Sequence, residues 1–451
     1  MAVPTASAES NLTIRTRKLA QSIGRPLFAV FLAMIAGSIV IMATSPGSLL
    51  DRFNQTIAAY QALFTGAFGN AQNFSFTLTT VTPLILASLS VAIAFRAGLF
   101  NIGAPGQLAV GAMTAGIIGF EASKWPGWIL VPTMILGSML VGAIWGGIVG
   151  LLKAWRGAHE VVTTIMLNWI AFYFTDFLIT GPFNAPHQAN QTDSLPPQAT
   201  LPHIADFYNQ TLGTFLPRID QPTQYLVDVG LFFALLALVI YWFITSRTTF
   251  GYEIRVIGQN PKAAKYAGIP IKWNIFAVMA IAGAFAGLAG ALRLMGQFPY
   301  QLIGTTFSLD PTGFDAIGVA LLGQTTAIGV LFGALLFGGL RQGGTIMQLN
   351  ANVPGDLVYI IQALVLFSIA AEFLPAIQRV WSKRYTFQRR TAPALASVNA
   401  TITGISENGT TQHAQRGAES PEILNGDSDS EGASTMAHPS SEGSSSQIEE
   451  D

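Results

Sequence analysis

The sequence predicts an all-α polytopic membrane protein of about ten transmembrane segments (8–10), some broken or re-entrant, with N- and C-termini cytoplasmic. Three observations predict it. Charged residues are 10% of the 451 residues, hydrophobic ones 51%, and the mean hydropathy is +0.46, whereas an ordinary globular chain carries about 25% charge. Nine charge-free apolar windows, at 26–43, 75–95, 97–120, 125–152, 161–175, 229–246, 273–292, 316–340 and 357–371, approach or exceed the length of a spanning helix; such a helix needs about 20 residues to cross a hydrocarbon core about 30 Å thick. The basic residues also fall unevenly around those windows, as bilayer topology requires. This composition excludes a soluble enzyme, a nucleic-acid binder and a disordered scaffold, which need far more surface charge. With no cysteine, disulfides, thiol catalysis and cysteine-ligated metal centres are excluded as well.

In chain order, residues 1–25 form a cytoplasmic N-terminal segment carrying Arg15, Arg17, Lys18 and Arg25. The window 26–43 is a retained span, since no small-residue cleavage site follows it. Residues 49–68 space Phe53, Ile57, Tyr60, Phe64 and Phe68 three or four apart, which predicts an interfacial helix at the outer leaflet. The third window opens on Gly98-Leu-Phe-Asn-Ile-Gly-Ala-Pro-Gly-Gln107. Three glycines, a proline and two amides in ten residues are poor material for a continuous helix, so a break is expected here. A short inner turn, Lys153–Glu160, follows the fourth window. His159-Glu160 has no second histidine at helical spacing, so no metal site is assigned.

Residues 181–224 form an outer loop with seven prolines. It reads either as a docking surface or as a plain linker. The loop 245–272 returns to the cytoplasmic side. Within it, Asn260 can cap a short helix with Pro261 at its first position and Gly268 closing it before Pro270. The glycines of 283–290 permit close helix packing in lipid. Window 316–340 is interrupted by Gly323-Gln-Thr-Thr and is expected to split into two short helices or a re-entrant hairpin. Such a break is tolerated only where it is buried in protein or lines a polar cavity. Two broken elements, one in each half, are the pattern of a site built from discontinuous helices. The transmembrane domain then covers 26–375.

With the N-terminus inside, 17 Lys/Arg are cytoplasmic and only Arg52, Lys124, Arg218, Arg293 and Arg341 lie outside. The basic segment 376–390 places the C-terminus inside, so the number of crossings is even. Residues 1–390 hold 22 Lys/Arg against 14 Asp/Glu, whereas 391–451 hold one against ten. That acidic tail, rich in Ser, Gly and Thr and without aromatic residues, is expected to be disordered.

Lys262-Ala-Ala-Lys-Tyr-Ala-Gly268 resembles the EAA loop through which ABC importer permeases dock on their ATPase, with Lys262 at the position of that loop's glutamate. Ile254-Arg-Val-Ile-Gly-Gln-Asn-Pro261, Phe95-Arg-Ala-Gly-Leu-Phe-Asn-Ile-Gly-Ala-Pro-Gly-Gln107, Glu160-Val-Val-Thr-Thr-Ile-Met-Leu-Asn-Trp169 and Phe314-Asp-Ala-Ile-Gly-Val-Ala-Leu-Leu-Gly323 resemble the simple-sugar and nucleoside branch of the branched-chain amino acid and ribose permease family. The resemblance covers roughly residues 20–380. It implies a multi-pass plasma-membrane permease working with an ABC ATP-binding subunit, a second permease subunit in a heterodimer and an extracytoplasmic substrate-binding lipoprotein, and translocating nucleosides or simple sugars. It implies neither a cofactor nor a nucleic-acid partner.

Asn260, Pro261, Lys262, Ala263, Ala264, Tyr266 and Gly268 are then the ATPase-docking residues. The chain has no Gly-Lys dipeptide and hence no Walker A loop; it is a transport subunit, not an enzyme. Intramembrane polar groups are suspects for function. Asn101, Gln107, Asn168, Gln297 and Gln324 are uncharged amides able to bond a neutral solute along a substrate pathway, or alternatively to join helices. Phe100 and Trp169 are aromatics beside them. Asp176, Asp310 and Asp315 are expected as solvated caps at span ends. A stand-alone ion-coupled carrier remains the alternative, and it would want a carboxylate at the membrane midplane.

Overall fold

The helices follow from where apolar runs meet caps. The computed structural model describes residues 11–351 and 353–370, and among these it holds helices, turns and two isolated bridges, with no strand. In chain order the helices are α1 (Asn11–Thr44), α2 (Leu49–Phe68), α3 (Ala71–Arg96), α4 (Ala104–Glu121), α5 (Gly127–Leu151), α6 (Glu160–Thr180), α7 (Ile204–Gln210) and α8 (Gly230–Arg247). They continue with α9 (Thr249–Gln259), α10 (Pro261–Tyr266), α11 (Ile271–Gly296), α12 (Thr306–Leu309), α13 (Thr312–Leu322), α14 (Ala327–Ala351) and α15 (Asp356–Ala370). Among the described residues, six helices are long and apolar enough to cross a membrane: α3, α5 with its continuation to Arg156, α6, α8, α11 and α14. The windows 28–44 and 356–367 are shorter apolar helices. The chain is a multi-pass membrane protein.

The centre of the bundle is the packing of α11 against α5 and α4. Gly283 of α11 faces the Gly142 carbonyl of α5, Gly287 faces Gly111 of α4, and Gly290 faces the Leu108 carbonyl; a Cβ at any of the three would strike backbone. In lipid, helices gain little by hiding apolar surface, so close van der Waals approach through small residues supplies the association. The expected role of the 283–290 glycines is therefore observed.

One end of the bundle gathers the end of α3, the segment 97–103, α9, α10 and the turn 323–326, since Gly98 meets Gly258 and Arg96 meets Thr325. The opposite end holds 122–126, the loop 181–229 and the segment 297–311. They are tied by Gln198 to the Ser123 carbonyl, Thr192 N–H to the Leu302 carbonyl at 2.9 Å and Leu201 N–H to the Met295 carbonyl at 2.8 Å. The loop 181–224 is tied to 295–302 by backbone bonds at Thr192, Leu195 and Leu201 and carries α7.

α1 takes in residues 11–25 as well as the first apolar window. α2 does not lie alone: its small face, Thr56, Ala59, Ala62, Gly66 and Ala67, is buried, with Gly66 against Ile346 of α14 and Leu63 against Gly343. The stripe Phe53, Ile57, Phe64 and Phe68 points outward as predicted, while Tyr60 donates to the Met34 carbonyl. Window 316–340 does break at 323–326, but into one short helix and one long one; α14 runs 25 residues, straight past Arg341. The basic segment 376–390 and the tail 391–451 lie outside the described residues.

Candidate functional site

The two broken elements meet. In the first, Gly98 sits at φ +72° directly after α3, and 97–103 returns to the level of Ser90 before α4 begins with Pro105 in its first turn. A break at this depth leaves backbone groups needing partners; Asn101 and Asn168 supply them, and Gln107 holds Asn101 in place. Asn101, fully buried, donates to the Ser90 hydroxyl and to Gln107 Oε1, each at 3.0 Å, and accepts the Gly103 N–H at 3.1 Å. Asn168 reaches across from α6, accepting the Gly106 N–H at 3.0 Å and donating to the Ile102 carbonyl at 2.8 Å. Asn101, Gln107 and Asn168 thus form one network around the break, and their polar atoms are spent on the protein.

In the second break, Gln324 and Thr325 both adopt left-handed backbone, φ +48° and +54°, a conformation that costs a non-glycine residue of order 1 kcal/mol or more. The Thr325 carbonyl is held by Arg96 Nε at 3.0 Å, Arg96 Nη2 at 2.8 Å and the Tyr241 hydroxyl at 2.6 Å. The Arg96 guanidinium also lies over the Tyr241 ring, 5.5 Å from its centroid. Arg96, the last residue before the first break, therefore clamps the second. Gln324 is exposed in that turn, apart from the other amides.

The loop carrying α9 and α10 abuts the same place. Asn260 accepts from the Lys262 and Ala263 N–H groups, each at 3.1 Å, and Pro261 occupies the first position of α10. Gly268, at φ +75°, donates to Lys265, and Ile269 donates to Ala264, which completes a two-bond C-terminal cap only glycine enters freely. The helix foreseen between Asn260 and Gly268 is present. Ala264 is its buried residue, Tyr266 is 93% exposed, and Lys262 and Ala263 face outward. At the end of α9, Gly258 lies against the chain at 96–98. A Cβ there would run into the Arg96 carbonyl and come within 2.9 Å of the Gly98 nitrogen, backbone on both sides.

A charged cluster that the sequence did not reveal lies between α11, α13 and α14. Asp310, expected as a solvated cap, is 8% exposed. It pairs with Arg293, approaches Arg341 at 3.6 Å, and accepts the Thr312 N–H and hydroxyl at 3.1 and 2.8 Å. Arg293 and Arg341, expected beyond the spans, stand inside α11 and α14. The signal that could have found them is the acid–base pair itself: two lone arginines in apolar runs and one aspartate before a half-length helix. Arg293, Gln297, Thr312, Arg341, Thr80 and Pro83 line a cavity of about 100 Å³. Arg293 and Gln297 also border a second, of about 110 Å³. Of the five predicted amides, Gln297 is the one lining both, while its Nε2 donates to the Thr79 carbonyl of α3 at 3.0 Å. At this end Asp228 is buried, accepts the Gly230 N–H at 2.6 Å, and is pushed up to about 6 by burial. Asp176, half-buried on α6, accepts the Thr305 N–H at 3.1 Å. Phe100 and Trp169 are both about half exposed. Phe100 packs on the Phe95 ring, and Trp169 stacks on Tyr173.

Among known proteins, residues 73–370 match the family model described as Branched-chain amino acid transport system / permease component. The chain is 38% identical over 359 residues to the guanosine ABC transporter permease protein NupP of Bacillus subtilis (strain 168), covering 79% of this chain and 95% of that one. It is 36% identical over 350 residues to the nucleoside ABC transporter permease protein NupB of Lactococcus lactis subsp. cremoris, covering 77% and 91%. It is 32% identical over 356 residues to the glucose ABC transporter permease protein TsgB13 of Haloferax volcanii, covering 78% and 88%. The matched span contains both broken elements, the capped α10 and the buried arginine–aspartate cluster. The chain belongs to the permease-component family of the branched-chain amino acid transport systems.

Proposed function

We propose that the chain is the membrane-spanning permease subunit of an ABC importer that translocates nucleosides or simple sugars. Ten crossings, by α1, α3, α4, α5, α6, α8, α11, α13, α14 and α15, leave both termini cytoplasmic. The end bearing Arg96, Lys153, Arg156, Arg247, Arg255, Lys262, Lys265 and Lys272 then faces the cytoplasm, in keeping with the positive-inside tendency.

The observation that carries this reading is the seating of Gly258 on the Arg96–Gly98 backbone. It joins the α9–α10 loop, where Asn260, Pro261, Lys262, Ala263, Ala264, Tyr266 and Gly268 would meet the ATP-binding subunit, to the first break. Arg96 continues the connection to the second. ATP-driven closure of the partner ATPases would move α9 and α10, shift 97–103 through a contact without compressible side chains, and reorient α4 and the short helix α13 by alternating access. Asn101, Gln107 and Asn168 act on the pathway by holding its broken wall, and Gln297 by facing it. A second permease completes the pathway as a heterodimer. A binding lipoprotein delivers solute to the loop 181–224, whose internal pinning suits a docking surface.

An ion-coupled carrier is less well supported, because the buried Asp310 is neutralised by Arg293 and Arg341 rather than open to a proton or sodium ion. The test is a tagged pull-down from native membranes in mild detergent with all co-purifying proteins identified. An ATPase, a second permease and a binding lipoprotein are expected. Recovery of this chain alone, still transporting in ATP-free proteoliposomes, would overturn the reading.

A further inference from the structure

Starting one residue beyond Asn168, α6 carries an exposed patch of aromatic and acidic side chains. Trp169 and Tyr173, one helical turn apart, have ring centroids 6.0 Å apart at an interplanar angle of 28° and are 53% and 70% exposed. Asp176 follows on the same face. Opposite lie Thr305 and Ser308, with Phe172 and Phe307 beneath, and together these residues border a cavity of about 130 Å³. Thr305 is held in left-handed backbone, φ +66°, and its N–H is anchored on Asp176 Oδ1 at 3.1 Å. Oδ2 makes no hydrogen bond among the described residues.

A carboxylate facing acyl chains is costly, so the patch is a poor lipid surface. Aromatic faces stack a heteroaromatic ring whatever its sequence of donors, and a free carboxylate oxygen accepts from a hydroxyl pair. An aldose would use Asp176 and lay its C–H face on one ring, whereas a flat base covers the paired rings while its ribose still reaches Asp176. A bare nucleobase would leave Asp176 unused.

We propose that Trp169, Tyr173 and Asp176 form a subsite for a ribonucleoside: the base stacks on the Trp169–Tyr173 pair, and the ribose 2′,3′-diol donates to Asp176 Oδ2 within the cavity closed by Thr305 and Ser308. The inference rests on the importer reading and narrows its substrate to nucleosides.

The test is uptake of radiolabelled ribonucleoside by cells carrying the complete transporter, with membrane abundance measured in parallel, for the wild-type chain, Trp169→Leu, Trp169→Phe and Asp176→Asn. Stacking on one aromatic ring is worth a tenfold factor or so, so uptake at fixed abundance should fall about tenfold in Trp169→Leu and recover in Trp169→Phe. Asp176→Asn is expected to lower uptake of a ribonucleoside more than that of its 2′-deoxy counterpart. Wild-type uptake in both Trp169→Leu and Asp176→Asn would overturn the subsite and leave the importer intact. ATP-dependent uptake of aldoses alone would overturn the subsite and the nucleoside specificity. No ATP-dependent uptake of either class by the wild-type complex would overturn the importer reading itself.

Discussion

Replacing Gly258 with alanine is expected to uncouple ATP hydrolysis from transport. The added methyl would meet the Arg96 carbonyl, lie 2.9 Å from the Gly98 nitrogen and 3.0 Å from the Ala97 carbonyl carbon. All three are main-chain atoms, so no rotamer change relieves the clash. Either α9 or the segment 97–103 must withdraw by something like 1 Å, and inserting a methyl into a packed contact costs about 1–3 kcal/mol. If that contact transmits the motion of the α9–α10 loop, the coupling between ATPase and pathway weakens by the same energy, or about 5- to 150-fold. The assay is ATP-dependent uptake in proteoliposomes of the full complex, alongside ATPase turnover and the amount of ATP-binding subunit retained. Uptake falling while ATPase turnover and subunit retention persist is the expected signature. Wild-type uptake in Gly258→Ala at normal abundance would refute the proposed path.

Three further outcomes are expected. Arg293→Met strands the buried Asp310 beside a single remaining cation, and breaking a buried pair costs about 3–5 kcal/mol. The detergent-purified protein should melt far lower than wild type, with the double variant Arg293→Met/Asp310→Asn, whose neutral amide oxygen still accepts from Thr312, recovering part of the loss; a double variant no better than the single one would argue against the pairing. Asn168→Ala orphans the Gly106 N–H and Ile102 carbonyl, each unpaired buried group costing roughly 1–3 kcal/mol; hydrogen exchange at residues 102–106 should accelerate, and unchanged protection there would contradict the network. For Asp228, burial raises the folded carboxyl to about 6 from its ordinary value of 3.8, so the folded state holds the proton more tightly. Stability from this group is fully present below about pH 4 and is lost as pH rises through 6, up to roughly 3 kcal/mol; melting temperature should be higher at pH 5 than at pH 8, and Asp228→Asn should flatten that difference.

The local devices of the fold were legible in the sequence. Asn260-Pro261 and Gly268 bracket α10 because capping is settled within one helical turn. The glycines and Pro105 of 98–107 mark a break because they weaken the hydrogen-bond ladder wherever they stand. The Gly323 interruption was equally visible, but the length of α14 was not. A charge ends an apolar window when residues are read one after another, so the sequence puts Arg341 beyond the span. In the fold its charge is met by Asp310 and Thr312, which belong to a segment about 30 residues earlier, so the helix continues past it. The aromatic stripe of α2 was read in the right direction. Its partner α14, nearly 300 residues away, was not.

The sequence by itself determined that this chain is a helical membrane protein, where its apolar helices begin, where two elements break and where α10 is capped, since hydropathy, helix periodicity and capping act between residues a few positions apart. The tertiary structure alone decided that the two breaks touch through Arg96 and Thr325, that Gly258 seats α9 on the first of them, and that Arg293, Asp310 and Arg341 are buried together. Those contacts join residues from about 17 to more than 200 positions apart. Their energies depend on how deeply the bundle hides each group from water, a property that no window of sequence contains.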